Sequence, residues 1–174
     1  KIRLIDVQFG KYSNKYNDKN FLPCFDWLPH PLAVIIRLFK KVQFNKVIKN
    51  AITKKNKFFF QEISISLKGP KNIDIRIFYS NKVRKKLRKI KFYGEKGIIN
   101  YDGYNNKNNF TYIRRKTKLI KPNLTPMQNI LLTFYNLVNQ KKFQSDLKLS
   151  YEIEKILSII KKKIRSKTGQ IAYK

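Results

Sequence analysis

The sequence is short of the residues on which several kinds of site depend. Its 174 residues include one cysteine, Cys24, one histidine, His30, and six glycines. A lone cysteine cannot close a disulfide within the chain, and with a single histidine it cannot supply a Cys/His zinc cluster. The scattered glycines do not spell G-x-G-x-x-G, the pattern that cradles the phosphates of a dinucleotide. These shortages argue against a disulfide scaffold, a zinc module and a dinucleotide-binding loop within this chain.

Long apolar runs are also missing. No stretch approaches the roughly 18 uninterrupted apolar residues of a membrane-spanning helix, and the first six residues lack the apolar centre of a secretory signal. We therefore expect a cytoplasmic protein in a reducing compartment, with no membrane contact. The chain starts without Met and directly in strand-like sequence, so we expect a piece of a longer protein.

Acidic residues are scarce: ten Asp and Glu stand against forty Lys and Arg, a formal net charge of +30. Such a charge raises nucleic acid as a partner. The sequence is also rich in Asn, Ile, Phe and Tyr, which together with Lys are the residues of A/T-rich codons, so genomic composition can supply the charge without selection for a polyanion. We favour the compositional explanation and keep a basic nucleic-acid-binding domain as the alternative.

Apolar periodicity predicts one domain over residues 1–174, of the α+β class, with an open, mostly antiparallel sheet and helices packed on one face. Alternating residues predict strands over 2–9, 59–67, 73–79, 85–92, 98–101 and 110–115. Helical spacing predicts helices over 31–39, over 125–138 and from 149 onward. The second face of the central hairpin carries polar residues, namely Glu62, Ser64, Ser66, Asp74 and Arg76. That face is either solvated or meets a polar partner.

The segment Asp26-Trp27-Leu28-Pro29-His30 is the one place where a carboxylate and the only histidine come close in sequence. Residues four apart point the same way where a chain enters a helix, so Asp26 could orient the His30 imidazole for proton transfer. The alternative is structural, with Asp26 capping the helix and His30 buried and satisfied. Trp27 could wall a sugar-like substrate or simply pack in the core. The spacing alone leaves both interpretations open.

Two local motifs resemble the C-terminal domain of the glucose-fructose oxidoreductase, inositol dehydrogenase and MocA family (Gfo/Idh/MocA). One is Asp26-x-x-x-His30 at the opening of an apolar helix. The other is the segment from Phe92 to Gly103, which is similar to the family's G-x-x-G-x-(I/L)-x-(Y/V)-(D/N) hairpin. The order of the predicted elements is similar over nearly the whole chain.

The resemblance implies a function and a division of labour. It implies that Asp26 and His30 border the nicotinamide and the reacting carbon of a sugar-like or cyclic polyol substrate, with His30 relaying the proton and Asp26 orienting it. NAD or NADP would bind mainly to an N-terminal Rossmann domain, which also supplies a catalytic lysine and which this chain lacks.

Further expectations concern partners. The chain alone should be inactive, and the polar sheet face is where we expect a homo-oligomer or a partner domain to dock. A catalytically silent binding domain on the same fold is a further alternative, because the glycine-rich run that commonly precedes the family's aspartate is replaced here by Leu22 to Phe25.

Overall fold

The computed structural model of the chain describes residues 1–13, 15, 22–104, 110–113, 117–120 and 147–167. The strands are β1 (Ile2–Gly10), β2 (Gln43–Lys55), β3 (Phe58–Lys68), β4 (Asp74–Ser80), β5 (Leu87–Gly94), β6 (Gly97–Asp102), β7 (Phe110–Ile113) and β8 (Thr117–Ile120). The helices are α1 (Pro29–Phe39) and α2 (Leu147–Lys167), with short 3-10 helices at Pro23–Asp26 and Pro70–Asn72. Neither described α-helix is long and apolar enough to cross a membrane.

The eight strands form one sheet in the order β2-β3-β4-β1-β5-β6-β7-β8. Every neighbouring pair is antiparallel except β1 and β4, which run parallel in the middle of the sheet. The mostly antiparallel open sheet expected from the sequence is therefore confirmed. Because β1 and β4 are parallel, they finish at the same end of the sheet, at Gly10 and Ser80; we call this the site end.

The core lies between one face of the sheet and the two described helices. Strict alternation places Ile5 and Val7 of β1 on this inner face, and both are fully buried. The apolar stripes of the helices cover them, with Leu32 and Ile35 from α1 and Ile160 from α2 in the same buried cluster. Fully burying an aliphatic side chain contributes about 1.5–3 kcal/mol. Hydrophobic burial therefore explains why both helices pack on the same face.

The opposite face of the sheet, which we call the polar face, carries Asp6 of β1, Ser64 of β3 and Arg76 of β4. Paired residues of neighbouring strands point to the same side of a sheet. Asp6 pairs with Arg76, and Arg76 pairs with Ser66, which lies two residues after Ser64 on β3 and on the same side. Three cross-strand ion pairs join neighbouring strands on this face: Lys49 with Glu62, Lys68 with Asp74 at 2.6 Å, and Lys89 with Asp102 at 3.3 Å. The polar second face of the hairpin is as the alternation predicted.

Strand β2 was missed by the sequence interpretation, and its register explains why. Two irregularities, between Phe44 and Lys46 and between Val47 and Lys49, shift its pairing with β3. The residues on the core side therefore recur at intervals of three, at Phe44, Val47 and Asn50, where an ordinary strand would show intervals of two. Two of the four intervening positions are lysines, Lys46 and Lys49, and charged side chains of this kind commonly keep an edge strand from pairing with another chain.

Both described helices begin two residues before their predicted starts. Helix α1 begins at Pro29, two residues before the Pro31 expected from the sequence, and α2 begins at Leu147. A proline at the first helical position loses no hydrogen bond, because that N–H has no helical partner. The helix predicted over 125–138 lies outside the described residues. The strands predicted over 85–92, 98–101 and 110–115 correspond to β5, β6 and β7, with shifts of one or two residues where described.

Candidate functional site

The segment that holds the predicted site lies at the site end of the sheet. A 3-10 helix from Pro23 to Asp26 leads directly into α1, and Trp27 and Leu28 form the short link between the two helices. The carbonyl of Cys24 accepts hydrogen bonds from the N–H groups of Trp27 at 3.0 Å and Leu28 at 2.8 Å. These bonds fix the direction in which the chain enters α1, and they hold Trp27 and His30 at the head of the helix.

Asp26 lies exposed at the end of the 3-10 helix. Its carboxylate oxygen Oδ2 accepts a hydrogen bond from Lys15 Nζ at 2.8 Å. The N-cap residue of α1 is Leu28, and no side-chain hydrogen bond caps that helix. The structural alternative in which Asp26 caps α1 is therefore wrong. Within the described part of the chain, no hydrogen bond joins Asp26 to His30.

His30 is the second residue of α1 and is exposed. The alternative of a buried, satisfied histidine is therefore also wrong. Its backbone N–H donates to the Trp27 carbonyl at 3.2 Å, while its ring lies edge-on to the Trp27 indole with the centroids 6.4 Å apart. An exposed imidazole at a helix head can reach a ligand and exchange a proton with it.

Trp27 connects the exposed histidine to the core. Its indole stacks on the ring of Tyr79 with the centroids 6.4 Å apart and the planes 28° apart. Tyr79 is the last residue of β4 on the inner face of the sheet, and it is only 1% exposed. Trp27 itself is half-buried, so one side of the indole packs and another side remains accessible. The structure brings Trp27 and His30 together, with Asp26 next to them in the chain.

A buried polar network that the sequence analysis missed fixes this segment to the sheet. Gln61 of β3 is 1% exposed, and its Oε1 accepts the Cys24 N–H at 3.0 Å while its Nε2 donates to Asn50 Oδ1 at 2.9 Å. Asn81, fully buried, accepts the Gln61 N–H at 2.6 Å and donates to the carbonyls of Phe59 and Ser13. A signal was present in the sequence, since Gln61 shares its strand face with Ile63 and is therefore a polar residue directed at the core.

Cys24 lies inside this network, and its burial disfavours the reactive thiolate form. It is fully buried, and this burial raises the pKa of the thiol to about 12, with the hydrogen bond to Gln61 lowering it in part. A thiol becomes a nucleophile or a metal ligand only as the thiolate, which such a pKa suppresses at neutral pH. Across the described ranges, no three His, Cys, Asp or Glu side chains come close enough to hold a metal ion.

The basic run from Lys82 to Lys91 divides between two environments. Its first half lies in the connection after β4, where Lys86 sits 5.8 Å from the Tyr104 ring centroid. Its second half lies in β5, where Lys89 pairs with Asp102 on the polar face. Part of this charge is thus engaged by an aromatic ring and a carboxylate of the same chain.

Comparison with known proteins places this architecture. No protein-family model matches the chain, and no curated protein matches its sequence. Solved structures do match: a dehydrogenase, MviM, from Clostridium difficile (TM-score 0.63, 15% identity, 91% of this chain and 55% of that chain) and biliverdin reductase from Synechocystis in complex with biliverdin and NADP+ (0.68, 12%, 94% and 55%). A third is KijD10, a 3-ketoreductase from Actinomadura kijaniata in complex with NADP and TDP-benzene (0.65, 9%, 91% and 54%).

These solved structures are oxidoreductases of the Gfo/Idh/MocA type. At such low identity the likeness establishes the fold alone. The resemblance drawn from the sequence is confirmed as a resemblance of fold. The chain spans about half of the length of each matched structure.

Proposed function

We propose that this chain is the C-terminal, substrate-facing domain of an NAD(P)-dependent oxidoreductase, and that it works with an N-terminal dinucleotide-binding domain. The observation that carries the proposal is the exposure of His30 beside Trp27 at the head of α1, on a fold shared with nicotinamide-dependent oxidoreductases. The matched structures are about twice as long as this chain, which leaves room in a longer protein for the second domain.

The described residues suit the substrate side of such a site. Asp26 and His30 carry the groups that handle a proton, and Trp27 offers an aromatic wall of the kind on which a sugar ring packs. Neither the sequence nor the described elements provide a glycine-rich turn between a strand and a helix for a pyrophosphate. We therefore assign the dinucleotide mainly to the partner domain and the substrate to this one.

Oxidation of an alcohol to a carbonyl removes a hydride from carbon and a proton from oxygen. A bound nicotinamide dinucleotide supplies the hydride acceptor. In our proposal the His30 imidazole takes the hydroxyl proton and releases it to water, while in the reverse direction it returns a proton to the carbonyl oxygen. Asp26 pairs with Lys15 at 2.8 Å, and the role we propose for it is to orient the imidazole. The Trp27 indole lies edge-on to the imidazole, with the ring centroids 6.4 Å apart.

We also propose that a second copy of the chain docks on the polar face of the sheet. Three cross-strand ion pairs and the exposed Arg76 give this face both signs of charge. A surface with both signs can meet itself across a two-fold axis, because each cation can lie opposite an anion of the other copy.

The function is tested with the protein that carries this chain together with its dinucleotide-binding domain. Sugars, sugar acids and cyclic polyols are incubated in turn with NAD+ or NADP+, and formation of reduced nicotinamide is followed by its absorbance. We expect oxidation of at least one hydroxylated substrate and none by the 174-residue chain alone. The alternative, a nucleic-acid-binding domain, would be favoured by no turnover together with DNA or RNA binding at physiological ionic strength that weakens steeply with salt.

A further inference from the structure

Lysines on the polar face of the sheet and lysines at its site end differ in their partners. On the polar face, Lys49, Lys68 and Lys89 each pair with an acidic residue of a neighbouring strand. At the site end, two segments carry exposed cations that no carboxylate of the described residues pairs with. Codon composition can explain how many lysines the chain has, but it does not explain this difference in placement.

The first segment is the hairpin that joins β2 to β3, which projects beyond the sheet at the site end. The last pair between β3 and β4 is Glu62 with Ser80, whereas β2 and β3 remain paired as far as Lys55 with Phe58. Four residues of β3 thus lie past the last pair with β4, and they extend about 13 Å at about 3.3 Å per residue. We call residues 51–61 the arm. Its exposed cations are Lys54, Lys55 and Lys57.

The second segment is the connection from β4 to β5, residues 81–86, which crosses the same end of the sheet. Strand β4 ends at Ser80, and β5 begins at Leu87, opposite Gly10. The exposed cations of this connection are Lys82, Arg84, Lys85 and Lys86. Carboxylates in the adjoining segments already have lysine partners outside the arm and the connection: Asp26 pairs with Lys15, Glu62 with Lys49 and Asp102 with Lys89.

Two exposed tyrosines lie at the same end of the sheet as these cations. Tyr12 lies two residues after the end of β1 and is 51% exposed, with its ring centroid 5.6 Å from that of Phe60 on the arm. Tyr104 lies two residues after the end of β6, which runs in the same direction as β1, and it is 41% exposed. Lys86 Nζ lies 5.8 Å from the centroid of the Tyr104 ring. Cations and accessible rings are therefore neighbours at the site end.

The arm, the connection and Tyr104 form a row across the end of the sheet. Four strand intervals separate β3 from β6, which corresponds to roughly 19 Å at about 4.8 Å per interval. Such a row matches a single strand of nucleic acid, because its phosphates are anionic and its unpaired bases stack on aromatic rings. A membrane surface matches less well, since neither the arm nor the connection exposes a large aliphatic side chain that could enter lipid.

We propose that the site end binds single-stranded nucleic acid, with phosphates on the cations of the arm and the connection and with bases stacked on Tyr12 and Tyr104. This binding is an activity beyond the proposed oxidoreductase function and does not rest on it. The residues that carry it are separate from Asp26, Trp27 and His30, so each activity can be lost without the other.

The test measures binding of a labelled, unstructured RNA of about 16 nucleotides to the 174-residue chain by fluorescence anisotropy over a range of salt concentrations. One variant combines Lys55→Gln, Lys57→Gln, Arg84→Gln and Lys85→Gln. At physiological ionic strength it should bind about tenfold or more weakly than the unchanged chain. The slope of log affinity against log salt should fall by about 2–3, since each neutralised phosphate contributes about 0.7.

The matched control removes the same charge from α2, with Lys148→Gln, Lys155→Gln, Lys161→Gln and Lys162→Gln, all of which are exposed. It should bind within about twofold of the unchanged chain, because charges more than about 8 Å from the RNA are largely screened at this ionic strength. Circular dichroism checks that both variants fold. Equal weakening by the two variants would show that the net charge attracts RNA without a site, and it would overturn the proposal. Absence of RNA binding by the unchanged chain would overturn it as well.

The tyrosines separate stacking from charge. The double variant Tyr12→Leu with Tyr104→Leu should weaken RNA binding about fivefold or more, since stacking of one base on a ring contributes at least that much, and it should leave the binding of polyphosphate unchanged. Tyr151→Leu is the matched control, because Tyr151 is 67% exposed on α2, and it should change neither. Unchanged RNA binding by the double variant would overturn the assignment of bases to these rings.

Competition distinguishes the single strand from other anionic partners. We expect unlabelled single-stranded RNA to displace the labelled strand at lower concentration than an RNA duplex of the same length or vesicles rich in phosphatidylserine. Stronger competition by the duplex would overturn the single-strand assignment. Stronger competition by the vesicles would assign the surface to a membrane and overturn the proposal.

Discussion

Replacing Gln61 with leucine tests whether the buried network holds the candidate site in place. The Gln61 side chain accepts the N–H of Cys24, and the Cys24 carbonyl in turn accepts the N–H groups of Trp27 and Leu28. A continuous path of hydrogen bonds thus leads from β3 to the head of α1. Leucine is of similar size and leaves little cavity, so Gln61→Leu removes mainly the polar contacts.

The magnitude follows from what each lost bond leaves behind. The Cys24 N–H is fully buried, and leaving a buried donor unpaired costs about 1–3 kcal/mol. Asn50, the other partner of the Gln61 side chain, is partly exposed and can turn to water at little cost. We expect Gln61→Leu to lower the free energy of unfolding by about 2 kcal/mol, equivalent to roughly 4–8 °C in Tm for a chain of this length. Asn50→Ala keeps the Cys24 bond and leaves the Gln61 Nε2 donor without its acceptor, so it should cost about 1 kcal/mol, the lower end of the range, because water can enter at the partly exposed position 50.

Trp27 is the only tryptophan of the chain, so its fluorescence reports on the site directly. Urea unfolding followed by circular dichroism gives the free energy, and the emission of the native protein before the transition gives the local effect. We expect Gln61→Leu to shift the native emission to longer wavelength as the contact with Tyr79 loosens, and Asn50→Ala to leave it unchanged. Equal stability of the two variants, or an unchanged emission in Gln61→Leu, would refute a positioning role for the network.

Three further predictions concern other parts of the fold. Cys24 should resist alkylation in the folded chain at pH 8 and react on unfolding. Its folded pKa of about 12 lies above its ordinary value of 9.0, so the neutral thiol should stabilise the fold fully below pH 9, and this stabilisation should be lost as the pH rises toward 12. Alkaline unfolding curves should show that loss in the unchanged chain, and Cys24→Ala should remove it. Gly97→Ala should destabilise the β5–β6 hairpin by more than 1 kcal/mol, because Gly97 has a φ of 149° and an added Cβ would lie 2.7 Å from the Ile113 carbonyl oxygen; an unchanged Tm would contradict this. Arg76→Glu should reduce self-association of the chain measured by light scattering, whereas Lys162→Glu on α2 should not. If the unchanged chain is monomeric, docking through the polar face is refuted.

Strict alternation made β1, β3 and β4 predictable. Ile5, Val7, Ile63 and Ile75 all lie where their spacing indicated, on the buried face. Strand β2 was not predictable in this way, because its pairing irregularities erase the period of two. Hydrophobic pattern carries no information on such shifts, which depend on the neighbouring strand.

The candidate site was located from the sequence, and its internal contacts were not. The positions of Asp26, Trp27 and His30 around a helix head follow from the prolines and the apolar spacing. Their partners come from elements distant in the chain: Lys15 contacts Asp26, and Tyr79 stacks on Trp27. Such contacts depend on the parallel pairing of β1 and β4, which local periodicity does not reveal. The roles of Asp26 and His30 as a proton-transfer pair remain predictions.

The most direct test of the proposed function is the turnover of His30→Ala in the longer protein, measured with the substrate found in the survey of hydroxylated compounds. Val34→Ala is the matched control, because Val34 lies one turn further along α1 and is 41% exposed. If His30 relays the proton, His30→Ala lowers kcat about 100-fold or more with little change in Tm, since general acid–base catalysis contributes about that much, and Val34→Ala stays within about twofold of the unchanged enzyme. A kcat for His30→Ala within about threefold of the unchanged enzyme would contradict the account and leave this domain without its proposed catalytic group.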